Sequence, residues 1–411
     1  MGIPIQPPVP QQRLEEIVAK LLPDEVEKYY QTNQESEKSL PSQFTLTQLL
    51  KSFSGYNSWM GKAAKDGSTT KLTEQLEAES DASKKASLYL KRGRRYVYDK
   101  QYEKSVHDFE TGYGLVQDDV EKQEAMEDDD FCRLLEWLAM VRHWRYDLEG
   151  SLKCYEKCCD IEPTNASLLV KRAGVQMDGG EHDDALKLFD MALGLEPALP
   201  DALMHRANLR MLQQKVDEAK ADLLECLRIR PNHLMARLRL ATVLMAVEDL
   251  NGAKVQLDKA NEFEPNSSEV HSYRGEMHFA QGDLTEARAE FDKAIKCEPS
   301  NPTPYVNCAL AIMNTPSPTG GPPDIKAAID LLEQGVKVDP QFHTAYMHLG
   351  QLKLALATDL AIAREVVAMY DIALTHCRTR EELKDVCGAR LLTVAQVDAA
   401  SMLKMETFTM Q

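Results

Sequence analysis

The sequence predicts an all-α solenoid: a right-handed superhelix of helix-turn-helix repeats, finished by a C-terminal capping helix. Three observations predict it. Pro163, Pro197, Pro231, Pro265 and Pro299 stand 34 residues apart. Small side chains keep fixed offsets from them: Ser151, Ala185, Ala219, Ala253 and Ala287 twelve residues before, Cys158, Ala192, Cys226, Ala260 and Ala294 five before, and Ala173, Ala207, Ala241, Gly275 and Ala309 ten after. Eight residues before each proline comes a large apolar side chain, Tyr155, Phe189, Leu223, Leu257 or Phe291.

A 34-residue period with these residue types is that of the tetratricopeptide repeat (TPR), two antiparallel helices per unit. Helices packed about 8–10 Å apart need small side chains where their axes come closest. The aromatic or leucine one turn onward fills the space beside them. Proline cannot continue a helix interior, so it ends the second helix. Thr164, Asp201, Asn232, Ser267 and Asn301 follow and can cap the next one. Gly179 with Gly180, and Gly282 with Asp283, supply turns inside two of the units.

The template extends both ways. Upstream, Gly93, Ser105, Phe109 and Gly112 mark one unit, and Ala139, Ser151, Tyr155 and Cys158 the next. Downstream, Ala328, Leu332, Gly335 and Pro340 close a unit with seven extra residues, which fall in the Pro, Gly, Ser and Thr stretch Asn314 to Asp324. Gly350, Tyr370 and Ala373 mark the last. The count is eight repeats over residues 83–376, followed by a capping helix and tail over 377–411, where Glu381 to Leu403 is apolar at helical spacing. Ahead of the repeats, residues 1–12 read as a Pro-rich linker, 13–54 as a short helical segment broken at Pro23 and Pro41, and 55–82 as a flexible connector. Tyr56 and Trp59 form its one aromatic knot.

Composition narrows the function classes. A net charge of −17 argues against a nucleic-acid partner, since phosphates require a dense basic face. The run Asp118 to Asp130 holds eight carboxylates and reads first as a solvated loop, second as a receiver of basic segments. Nine cysteines without a secretory signal point to a reducing compartment. Cys154, Cys158 and Cys159 resemble a metal cluster, yet Cys158 and Cys226 hold small-residue positions, so packing explains them. The ten histidines lack metal-binding spacing, and no stretch approaches a membrane span. No phosphate loop, nucleophile elbow or carboxylate pair stands apart from the repeat, so the reading is a non-enzyme with neither cofactor nor metal.

The informative constellation is methionine. With the small residue of each first helix (Ala139, Ala173, Ala207, Ala241, Gly275, Ala309, Gly350) taken as position 8, positions 2, 5, 9 and 12 point into the concave groove. They hold Met140, Met177, Met204, Met211, Met235, Met245, Met313 and Met347, eight of seventeen methionines. Val170, Leu238, Phe279, Val306, Leu310 and Leu354 join them, with Asn208, Thr242, Glu269, Glu276 and Gln351 interleaved. Methionine remoulds around many apolar shapes, so the expectation is a groove for hydrophobic, extended segments. The competing expectation is that the superhelix buries these side chains against its own wall.

Four blocks carry a family resemblance. Residues 201–231 (DALMHRANLRMLQQKVDEAKADLLECLRIRP) closely resemble a mid-domain repeat of the larger TPR receptor of the mitochondrial outer-membrane (TOM) translocase. Residues 301–314 (NPTPYVNCALAIMN) and 369–397 are similar to its last repeats and terminal helix. Residues 40–53 (LPSQFTLTQLLKSF) are similar to the segment joining its two TPR domains, with Leu49 and Leu50 where an aromatic pair is usual. The resemblance implies a receptor at the cytosolic face of the mitochondrial outer membrane, working beside other TOM subunits. Its eight-repeat part would receive hydrophobic or internal targeting segments of preproteins, those of carriers among them. Such receptors also carry a membrane anchor and a clamp for the acidic tails of Hsp70 and Hsp90. This chain begins where the clamp would end, so the expectation is a fragment, or a form without anchor and clamp. The alternative is a generic cytosolic TPR scaffold joining folded partners by its convex face or the 314–324 loop.

Overall fold

The computed structural model describes residues 11–35, 56–127, 129–315, 323–357 and 359–402. These are helical, with no strand among the described residues. They form two compact units, one of residues 45–247 and one of residues 1–44 with 248–411. The first helix, α1 (Gln11–Glu35), belongs to the second of these.

The unit of residues 45–247 holds α2 (Tyr56–Lys65), α3 (Thr69–Ala78), α4 (Ala82–Tyr98), α5 (Tyr102–Gly114), α6 (Val120–Glu124), α7 (Asp130–Trp144), α8 (Leu148–Ile161), α9 (Ala166–Asp178), α10 (His182–Leu195), α11 (Pro200–Leu212), α12 (Val216–Ile229) and α13 (Leu234–Ala246). Helices α4 and α5, α7 and α8, α9 and α10, and α11 and α12 pack as pairs, and the second helix of each pair packs on the first of the next. First helices also touch across repeats: α4 with α7, α9 with α11, α11 with α13. They form the inner layer. The segment expected to be a connector, 55–82, instead carries α2 and α3, both packed on α4. Arg94 makes a two-pronged bond to Asp66, at 2.9 Å from both oxygens, and holds the end of α2. The side chains of Tyr56 and Trp59 lie outside the described residues, as do residues 1–10, 36–55 and 316–322.

The other unit holds α14 (Leu250–Phe263), α15 (Ser268–Gln281), α16 (Leu284–Cys297), α17 (Thr303–Asn314), α18 (Ile325–Val338), α19 (His343–Ala355), α20 (Leu360–His376) and α21 (Arg380–Met402). Pairing repeats the scheme, α15 with α16, α17 with α18 and α19 with α20, and α21 packs on α20. Helix α1 then lies on α21 and α20. Its stripe of Val18, Leu22, Val26, Tyr29 and Tyr30 continues across Pro23, with Val26, Leu22, Tyr29 and Tyr30 in one cluster with Tyr370, Leu374, Leu383 and Val386. The break expected at Pro23 does not occur. Pro23 faces solvent, and burial on either side of it carries the helix through. Asn33 donates to the Leu374 and Cys377 carbonyls, at 2.8 and 2.9 Å, at the C-terminal end of α20.

The seams follow the small-residue rule. Ala173, Ala185, Ala192, Ala287 and Ala294 are wholly buried. The prolines act one residue earlier than expected. Glu162, Glu196, Arg230, Glu264, Glu298 and Asp339, each directly before a proline, leave the helical region with φ between −122° and −141°. The proline ring disfavours helical backbone at its predecessor, so each second helix stops there.

A polar lattice ties the repeats together. Arg206 reaches Asp190 sixteen residues before it and Asp222 sixteen after, each at 2.7 Å. Arg274 does the same with Asp258 (2.7 Å) and Glu290 (3.5 Å), Arg92 with Asp108 (2.7 Å), and Arg172 with Glu156 (2.8 Å). Arg237, His271 and Tyr305, at one position repeated every 34 residues, each bond the carbonyl of the proline six residues back. One side chain thus joins its own second helix to the preceding repeat.

Candidate binding face

Within each unit the inner layer is where a ligand would lie, because first helices touch there and form a wall. Position 5 closes that wall. Val170, Met204 and Leu238 in one unit and Val306 in the other are buried, and Met140 at position 9 is buried too. These five are corrected from groove side chains to core: position 5 meets the neighbouring first helix, and that packing uses its apolar surface.

Position 12 stays open. In the unit of residues 45–247, Met177, Met211 and Met245 are half-buried at successive 34-residue steps on α9, α11 and α13, with Met235 half-buried at position 2 of α13. The sequence reading missed Leu212, beside Met211 and 62% exposed, and Val247, 47% exposed, because it fixed on four positions only. Thr242 turns its hydroxyl back to the Leu238 carbonyl at 3.2 Å. Asn208, half-exposed beside Met211, bonds none of the described residues.

In the other unit position 12 carries Phe279, Met313 and Leu354, with Leu310 and Met347 half-buried and Leu356 exposed. Exposed Glu276 accepts from Asn307 at 3.4 Å, exposed Gln351 meets His348 at 3.2 Å, and Glu269 accepts from Ser267 at 2.9 Å. Burial lowers the affinity of His348 for a proton against the opposing bond from Gln351, which favours the neutral imidazole.

One charged pair is sealed inside the wall. Lys171 of α9 donates to Glu136 of α7, both buried, and Arg133 adds a bond at 3.2 Å. Burial alone would raise the Glu136 carboxyl; Lys171 and Arg133 outweigh it and hold it below its ordinary value. Cys154 and Cys158 are buried, and burial pushes the Cys226 thiol up to about 12, as expected of packing cysteines rather than thiolate ligands. The acidic stretch contains α6, capped by Asp119, and most of its carboxylates are solvated.

Comparisons bear on the fold. The model of a tetratricopeptide repeat-like domain matches residues 200–314. Comparison with curated protein sequences gives no match. Among solved structures, yeast Tom70 is similar with a TM-score of 0.61 and 20% identity, covering 79% of this chain and 65% of that one. The chain thus spans less than two thirds of the Tom70 chain it matches. A tetratricopeptide repeat protein from Parabacteroides merdae is similar over 64% of this chain and 98% of its own, at 18% identity and a TM-score of 0.47. The chain is an all-α tetratricopeptide-repeat solenoid, and its helix-turn-helix repeats include a tetratricopeptide repeat-like domain over residues 200–314.

Proposed function

We propose that this chain is a non-enzymatic receptor module that holds hydrophobic or internal targeting segments of mitochondrial preproteins at the cytosolic face of the outer membrane. The observation that carries this reading is position 12, open and apolar in three successive repeats of each unit: Met177, Met211 and Met245 in one, Phe279, Met313 and Leu354 in the other. Such side chains adapt to unlike apolar ligands, as a receptor for many preproteins requires. The resemblance of residues 201–231 and 301–314 to the TOM receptor family, and the shared fold with yeast Tom70, support the same choice. Among the described residues no helix is long and apolar enough to cross a membrane, so membrane placement would come from other TOM subunits or from an anchor outside these residues.

A second reading rests on the outer layer. Met191 (56% exposed) and Leu195 on α10 and Leu224 on α12 leave apolar surface on second helices, which suits a scaffold for a folded partner. Fluorescence anisotropy separates the two. Segments of carrier precursors should bind the chain, and replacing Met177, Met211 and Met245 together by serine should weaken binding more than about tenfold, at roughly 1 kcal/mol per side chain. Unchanged binding in a variant that keeps its helical circular dichroism would remove the receptor reading in favour of the scaffold.

A further inference from the structure

The wall formed by α9, α11 and α13 carries information about the shape of its ligand. We propose that this wall binds partner segments in the polyproline II conformation, without cationic side chains and bearing an apolar side chain at every third residue. The inference rests on the receptor reading and narrows it to a ligand geometry.

Step length comes first. Met177, Met211 and Met245 sit at one position on three first helices, of which α9 touches α11 and α11 touches α13. Neighbouring packed helices lie about 8–10 Å apart, so the open methionines recur at about that interval. A polyproline II chain rises about 3.1 Å per residue with three residues per turn, so every third side chain points the same way at about 9.3 Å. In a β-strand, side chains on one face recur at about 6.6 Å or about 13 Å, and neither matches.

Width decides against a helix. An amphipathic helix presents an apolar stripe about 100° wide and fills more than one row of side chains. Here the row at position 5, Val170, Met204 and Leu238, is closed, and the row at position 12 alone is open and apolar on all three helices.

Hydrogen bonding and charge agree. Polyproline II has no internal hydrogen bonds, so its carbonyls need partners when water leaves. Asn208 and Arg239, both half-exposed, bond none of the described residues and offer donors on this wall. The other ionised side chains of the three helices are engaged: Lys171 with Glu136, Arg172 with Glu156, Asp178 with His143, Arg206 and Arg210 with Asp222, Asp201 near His233 and Arg237 with the Pro231 carbonyl. A ligand therefore meets two donors and one unengaged positive charge, Arg239, which matches a segment without cationic side chains.

The test uses the whole chain and four labelled peptides of equal length and leucine content. Three are proline-rich, with leucine at every second, third or fourth residue, and the fourth is a stapled helix with leucine at i, i+4 and i+7. Anisotropy should show the every-third peptide binding about tenfold tighter than each of the others, and Met211→Ser should weaken it about fivefold. Asn208→Ala, which leaves the core untouched, should weaken it as well and covers the case of a poorly folded methionine variant. Equal binding of the three spacings, or preference for the helix, overturns the polyproline II geometry while leaving an apolar receptor standing. If neither these peptides nor flexible carrier segments bind, the receptor reading falls too.

Discussion

A Cβ built on Gly275 would lie 2.5 Å from Cε1 of Phe291, inside the ring's van der Waals surface. Gly93 stands in the same relation to Phe109, at 2.5 Å, and Gly350 to Tyr370, at 2.6 Å. In these three repeats the ring takes the space that a methyl group would need. Gly275→Ala should therefore cost about 1–3 kcal/mol through overpacking, against the ordinary gain from replacing a helical glycine. Gly174, also mid-helix, has nothing within 4 Å of a built Cβ, and Gly174→Ala should gain about 0.5–1 kcal/mol. Urea unfolding of the two variants should show midpoints moving in opposite directions.

The turn inside six of the repeats needs one residue at positive φ, seven after the small residue. Gly180 and Gly282 fill that place at 81°, while Lys100, Tyr146, Gln214 and Glu248 adopt 58°, 65°, 60° and 61°. A side chain there costs about 1–2 kcal/mol that glycine avoids, partly offset by the freer unfolded chain. Lys100→Gly and Gln214→Gly should each raise the unfolding midpoint, and Gly180→Ala should lower it.

Acid should loosen the Glu136–Lys171 pair. The carboxyl's folded value lies below its unfolded one, so its contribution is complete above the ordinary glutamate value of about 4.3 and is lost as pH falls through the folded value. Glu136→Gln leaves Lys171 buried without a counter-charge and should cost about 3–5 kcal/mol at pH 7. The variant should also lose less of its remaining stability between pH 5 and pH 3 than the parent, as read from urea midpoints in that range (about one unit either side of 4).

Asn33→Ala removes two hydrogen bonds from the end of α20 and leaves its carbonyls under a covering helix. A loss on the order of 1–3 kcal/mol is expected. Hydrogen exchange should quicken in α20 and α21, on which α1 packs, and stay unchanged in α4 and α5, which belong to the other unit.

Period and residue size made the repeat legible, because each unit packs by local rules that recur every 34 residues. Ala287 and Phe291 could be placed in a seam from spacing alone. The arginine column was equally regular, Arg206 and Arg274 each with a carboxylate sixteen residues either side, but it follows no consensus residue type and went unread. Groove positions were legible only by direction from the helix axis. Direction does not tell whether a neighbouring helix already occupies the space, which is why Met204 and Met211 were grouped although one is core and the other open. The destination of α1 had no local signal at all, since its partners lie at the other end of the chain.

That long reach has a consequence for biosynthesis. Every other joint described here links neighbours in sequence, so repeats can form in the order in which they are made. Asn33 must wait for Leu374, 341 residues later. At about 5–20 residues per second, that delay is roughly 20–70 s. Through that interval Val18, Leu22 and Val26 have no surface to cover them. Helix α1 is made before every other helix described here and is the last to dock, so the newborn chain depends longest on chaperone protection at that helix.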